Sequence, residues 1–254
     1  MLNYRRFGSG KTVVLQHGFV GGGEYFAPLS ANLAQNYDVI ATDLPGFAGS
    51  AHIPVPDTIA EVAAALVDTV TGLGVERFSL LGHSLGSVTA LQAALDYPER
   101  IEKLILYGST PSGTLPDRFE TWDDTVSRIE SESIETMAAW IAATWFVDGD
   151  KHPLYEFTKA AGAGASQEGA IQMIRTSAPW DIRDRLGEIS MPTLVICGDS
   201  DRSTHPGLSY ELWHGIPNAQ LCVLPGCAHN AHLELSEVFN PLIPQTYLQL
   251  DLAL

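Results

Sequence analysis

Apolar positions in this chain fall into short solid runs separated by stretches with a helical period. Residues 12–17, 37–42, 78–81, 101–107, 193–197 and 220–224 are such runs, as expected for strands buried on both faces of a parallel sheet. The clearest helix follows the second run. Ile59, Val62, Ala63, Leu66, Val70 and Leu73 fall on one face, and Thr58 with Glu61 three residues on forms a capping box. Helices are also expected at 25–34, at 87–95 and after Ser236, with one more strand at 2–7. The alternation predicts an α/β fold, a mostly parallel twisted sheet with helices on both faces.

After Tyr107 the rhythm breaks. From about 113 to 180 there are helical patterns and no convincing strand. Met137, Trp140, Ile141, Thr144 and Trp145 make one amphipathic stripe after a cap at Ser133, and a second short helix is expected at 170–176 after Ser166. Such a block inside an alternating chain predicts a helical cap, or lid, at 113–180, inserted in a core made of 1–112 and 181–254.

Composition narrows the function classes. The 254 residues are 45% apolar and carry a formal charge of −16, so the chain is ordered and repels nucleic acid and anionic membrane. No apolar run has membrane-spanning length, and the start lacks the apolar core of a signal peptide. Cys197, Cys222 and Cys227 are an odd count that supports no disulfide framework. The expected location is cytoplasmic.

The chemistry centres on Gly82-His83-Ser84-Leu85-Gly86, a G-x-S-x-G nucleophile elbow set between a buried run and a helix of small residues. Serine needs a base and a group to orient that base. In an open parallel sheet both belong on loops at strand carboxyl ends. The run at 193–197 leads into Gly198-Asp199-Ser200-Asp201, and that at 220–224 into Pro225-Gly226-Cys227-Ala228-His229. This predicts Ser84 as nucleophile, His229 as base and Asp201 as orienter. Asp199, which directly follows the strand-ending glycine, is the alternative, suited instead to binding loop amides. Oxyanion donors are expected from the backbone N–H groups of Leu85 and Phe19. His83 is expected to point away from the nucleophile, His205 to line the pocket, His232 to be structural, and His52, His152 and His214 to be solvated. Gly8-Ser9-Gly10-Lys11-Thr12 lacks the first P-loop glycine, Gly21 to Gly23 lack dinucleotide spacing, and no metal-ligand pattern exists, so no cofactor or metal is expected.

With these pieces in place the chain resembles the α/β-hydrolases, over nearly its whole length. Besides the elbow, the resemblance rests on His17-Gly18, on Asp43-Leu44-Pro45-Gly46-Phe47-Ala48-Gly49-Ser50 and on Tyr97-Pro98-Glu99-Arg100. Gly198 with Asp201, and His229 followed by His232-Leu233-Glu234, complete it. The most similar subgroup is the bacterial enol-lactone hydrolases and the ring-fission-product (meta-cleavage) hydrolases of aromatic catabolism. The resemblance carries the triad onto Ser84, Asp201 and His229. The chain departs from the family at Ala228, usually glycine, and at Ser87, commonly a second elbow glycine. Asn230 stands where the carbon–carbon hydrolases often have tryptophan. The implied activity is cleavage of a small carboxylic ester or lactone through an acyl-enzyme. The runner-up is carbon–carbon hydrolysis of a vinylogous 1,5-diketone, and a ligand receptor without turnover is the alternative from another class. The expected partner is a small-molecule substrate, with Trp140 and Trp145 as candidate pocket residues. Arg118, Arg128, Lys151, Lys159 and Arg175 are the basic residues of the lid, any of which could meet a substrate carboxylate.

Overall fold

The structure is a computed structural model that describes residues 1–115 and 118–248; parts of the expected lid (116–117) and core (249–254) lie outside the described residues. The strands are β1 (Tyr4–Gly8), β2 (Thr12–Gln16), β3 (Asp38–Thr42), β4 (Phe78–His83), β5 (Ile101–Tyr107), β6 (Thr193–Gly198) and β7 (Ala219–Leu224). They form one sheet in the order β1-β3-β2-β4-β5-β6-β7. β1 is antiparallel to β3, and the other pairs are parallel. The strand expected at 2–7 starts at Tyr4, because the Leu2 N–H donates to Thr69 Oγ1 at 2.9 Å rather than to a strand.

Alternation along the strands sorts the core into two layers. Val14, Ile40, Leu80, Leu104 and Leu106 face α2 (Ile59–Gly72) and α3 (Leu85–Asp96). Val13, Leu15, Val39, Leu81 and Ile105 face the other way, toward α1 (Ala27–Leu33). Each fully buried aliphatic side chain in these layers contributes about 1.5–3 kcal/mol. The capping box forms as expected: Thr58 Oγ1 accepts the Glu61 N–H at 3.2 Å, and the Glu61 carboxylate accepts the Thr58 N–H at 3.1 Å.

Between β5 and β6 the described residues make four helices: α4 (Trp122–Ser131), α5 (Ile134–Thr144), α6 (Tyr155–Gly162) and α7 (Gln167–Ser177). Ser112 and Asp181 form an isolated antiparallel bridge at the two ends of this segment. Ile129, Met137, Ile141, Met173 and Ile174 join the same layer as Val13 and Leu15. Two of the four helices lie outside the sequence expectation. α4 buries only Thr125 and Ile129, and α6 only Thr158 and Gly162, so each has few buried apolar positions to mark it.

The chain closes with α8 (Pro206–Gly215), α9 (Ala231–Glu234), α10 (Ser236–Pro241) and a π-helical stretch at Leu242–Leu248. No helix among the described residues is long and apolar enough to cross a membrane. Because β2 and β4 to β7 run parallel, the loops that follow them emerge at one end of the sheet.

Candidate active site

Ser84 sits where β4 turns into α3, with φ 54° and ψ −121°, a left-handed backbone that a non-glycine residue holds at a cost of about 1–3 kcal/mol. Its N–H is tied to the Tyr107 carbonyl on β5 at 2.9 Å. The flanking glycines are required by space. A Cβ at Gly82 would strike Gly86 and Ser87, and one at Gly86 would strike the Gln16 and His17 carbonyls. Ser87, in place of the second elbow glycine, donates its hydroxyl to the Ser84 carbonyl at 2.5 Å. Ser84 itself remains half-exposed.

His229 lies on the loop after β7 and is fully buried. Its Nδ1 meets Asp201 Oδ2, on the loop after β6, at 2.7 Å. A carboxylate acceptor there fixes the proton on Nδ1 and leaves Nε2 as the basic nitrogen. That Nε2 is buried and makes no hydrogen bond in the structure, including none to Ser84. Asp201 is held by four donors: the Ser203 N–H (2.8 Å) and Thr204 N–H (2.9 Å) on Oδ1, and Thr204 Oγ1 (2.9 Å) and His229 on Oδ2. Asp199 takes the Gly226 N–H at 2.9 Å and the Ser200 hydroxyl, so it binds the loop and does not reach His229.

The backbone of His229 is anchored as firmly as its ring. Its carbonyl accepts Tyr107 Oη at 2.5 Å and His83 Nε2–H at 3.1 Å. His83 stacks on Tyr107 with centroids 4.4 Å apart and lies 4.5 Å from the His229 ring. Burial pushes the His83 imidazole well below its ordinary pKa, with His229 and His232 adding repulsion, so it is a neutral donor. Burial likewise drives His232 down to about 3. The Tyr25 hydroxyl donates to Asn230 Oδ1 beside this cluster.

On the opposite wall, His17 shapes the loop that carries Phe19. The Leu44 N–H donates to His17 Nε2 at 2.9 Å, and Nδ1–H donates to the Gly18 carbonyl at 2.7 Å. Burial lowers the His17 pKa against the opposing pull of Asp43. Asp43 accepts the Gly23 N–H at 2.6 Å and the Gly49 N–H at 3.1 Å, joining this loop to the one after β3. A Cβ on Gly18 would lie 2.8 Å from Ser84 Cβ, so only glycine lets the loop come this close. Leu85 is the first residue of α3, where an N–H has no intrahelical acceptor. Phe19, Ser84, Leu85 and Thr204 line one cavity of about 40 Å³.

The remaining expected residues divide. Trp145 is buried with its ring 5.7 Å from that of His229 and does not line the cavity. Trp140 is not brought to the site: it packs on Phe119 and lies under the Arg128 guanidinium. His205 is exposed and caps α8 through the Gly207 N–H, so it does not line the cavity. Of the basic residues at 113–180, none lines the Ser84 cavity. Arg118 is stacked over Phe119 and Trp122, and burial lowers it to about 10.

Three residues at the site carry no sequence signal. Trp122 supplies the indole that walls the cavity; Thr204 binds the acid; Gly108 packs on the acid–base pair. A larger cavity, of about 740 Å³ between residues 51–57 and α7, contains none of Ser84, Asp201 and His229. No group of three or more metal-ligating side chains occurs among the described residues.

Comparison with known proteins gives a consistent family. A family model described as the α/β hydrolase fold matches residues 11–235. A 2-hydroxy-6-oxo-6-phenylhexa-2,4-dienoate hydrolase from Comamonas testosteroni is 30% identical over 260 residues, covering 95% of this chain and 89% of its own. A thermophilic esterase from Thermogutta terrifontis superposes with TM-score 0.86 at 26% identity, over 96% of this chain and 92% of its own. The enol-lactonase from Burkholderia xenovorans LB400 shares the fold at TM-score 0.87 and 22% identity, over 96% and 95% of the two chains.

Proposed function

The chain belongs to the α/β hydrolase fold family, and on that premise we propose that it is a serine hydrolase of small carboxylic esters or lactones. Ser84 attacks the carbonyl carbon while His229 Nε2 takes its proton. The oxyanion is received by the N–H groups of Leu85 and Phe19. The leaving alcohol departs with the proton from His229, and water, activated by the same nitrogen, then hydrolyses the acyl-enzyme. Asp201 holds the ring in the tautomer this requires and stabilises its charged form.

The observation that carries the reading is the buried 2.7 Å contact between His229 Nδ1 and Asp201, on a loop beside a serine in a left-handed turn. Hydrogen bonds between nucleophile and base commonly tighten only when substrate binds, so the free Nε2 fits this role. Two features favour an uncharged ester or lactone over an anionic dienoate: among the described residues no basic side chain lines the Ser84 cavity, and the chain carries a formal charge of −16. Carbon–carbon hydrolysis is the second reading, favoured by the relatives named as dienoate hydrolases. The free cysteines among the described residues agree with action in the cytoplasm.

The test is a panel of short-chain aryl esters, lactones and 2-hydroxy-6-oxo-dienoates with wild type and Ser84→Ala. The ester reading predicts turnover of the first two classes and a loss of at least ~10³-fold in Ser84→Ala. Turnover confined to the dienoates selects the second reading, and undiminished activity in Ser84→Ala refutes the nucleophile.

A further inference from the structure

Beside Ser84 the available space is small and has a fixed wall. The cavity of about 40 Å³ holds roughly three water-sized atoms at ~10–15 Å³ each. Val88 on the elbow helix and Leu115 give it apolar sides, and Trp122 at the start of α4 forms a further wall.

Trp122 is held on three sides. Its Nε1–H donates to the Gly113 carbonyl at 2.9 Å. The Arg118 guanidinium lies 4.0 Å over its ring, and the edge of Phe19 meets it with centroids 6.2 Å apart. Gly113 cannot yield, because its N–H is bound to the Trp180 carbonyl at 2.6 Å and any side chain there would strike the Ser177 carbonyl. The same Phe19 whose N–H is assigned to the oxyanion thus braces the indole.

We infer that Trp122 sets the length of the acyl group this enzyme accepts, restricting it to esters of short carboxylic acids with about two to four carbons. The inference rests on the ester reading above. A hydrolase keeps the acyl part on the serine through both steps, whereas the alcohol must leave and water must enter along an open path. A small space beside the nucleophile, walled by an indole, suits the part that stays. Six-carbon chains exceed the room available, and shortening the side chain at 122 supplies it.

The experiment uses 4-nitrophenyl acetate, propionate, butyrate, hexanoate and octanoate, so that only the acyl chain varies. Wild type, Trp122→Ala and the milder Trp122→Phe are compared by kcat/KM, with phenyl and 4-nitrophenyl acetate as a leaving-group control. Wild type should lose at least tenfold between butyrate and hexanoate. Trp122→Ala should raise the hexanoate-to-acetate ratio at least tenfold, and Trp122→Phe should raise it less. Trp122→Phe retains an aromatic wall and keeps the test open if the alanine variant does not fold. A wild-type preference for hexanoate or octanoate overturns the inference, as does a ratio unchanged in both variants while esterase activity persists. Absence of ester turnover in wild type instead removes the ester reading and this inference with it.

Discussion

Replacing Thr204 by valine removes a hydroxyl that donates to Asp201 and lies 3.4 Å from His229 Nδ1. Thr204 is 2% exposed, and its Oγ1 donates at 2.9 Å to Asp201 Oδ2, the same oxygen that accepts His229 Nδ1 at 2.7 Å. Valine has nearly the same shape, and the two amides on Oδ1 remain. A buried hydrogen bond to a charged group contributes about 1.5–3 kcal/mol. Three donors stay on the carboxylate, so the loss in stability should be near the lower figure. The catalytic effect follows from the same contact. Asp201 Oδ2 loses one of the two donors that fix it against His229 Nδ1, so kcat should fall while KM changes little. If ~1.4 kcal/mol appears in full at the transition state, kcat falls about tenfold. The assay is kcat and KM on a short-chain aryl ester together with denaturant melts, for wild type, Thr204→Val and Thr204→Ser. Thr204→Val should lose both stability and turnover, and Thr204→Ser should recover them. Unchanged stability and kcat in Thr204→Val, or a serine variant that behaves like valine, refutes the reasoning.

Gly108 has φ +53°, and a Cβ there would lie 3.0 Å from His229 Nδ1 and 3.4 Å from Asp201 Oδ2. Gly108→Ala should therefore lower kcat by at least ~10²-fold and stability by about 1–2 kcal/mol, checked by kinetics and denaturant melts. Wild-type kinetics in that variant would show that the pair tolerates displacement. His17, His83 and His232 all have pKa values lowered by burial, so they stay neutral in the fold while the unfolded chain protonates them below about 6.5. Their stabilising share is complete above that pH and is lost as pH falls toward the folded values, about 3 for His232. His232, with a folded value of about 3, should cost ~1.4 kcal/mol per pH unit below ~6.5, or about 2 kcal/mol at pH 5, and His17 and His83 move stability in the same direction. Denaturant melts at pH 7 and pH 5 measure this, and equal stability at both would contradict it.

Much of the fold was legible because its signals are local. The buried runs, the Thr58–Glu61 capping box and the spacing of the elbow motif are each read within a few residues, although the space that demands Gly86 is set by the distant Gln16 and His17 carbonyls. The separation of Asp201 from Asp199 was legible for a similar reason, since three residues past the strand end give the chain room to turn back. What was hidden depends on distant contacts. Trp140 follows Met137 by three residues, which places it at the edge of the apolar stripe, and Phe119 and Arg128 claim it there. Trp122 stands at the head of a polar helix, and only the fold brings Phe19 and Ser84 to it. Gly108 resembles any strand-ending glycine until His229, from the far end of the chain, is laid against it.

The central claim is that the Ser84 hydroxyl becomes the covalent nucleophile when the imidazole of His229 removes its proton. Peptide mass spectrometry after reaction with a short-chain aryl phosphonate tests it most directly. A single adduct on the peptide containing Ser84, formed at least ~10²-fold more slowly in His229→Ala, is the predicted result. An adduct elsewhere, or no adduct on a preparation that still turns over ester, would contradict it.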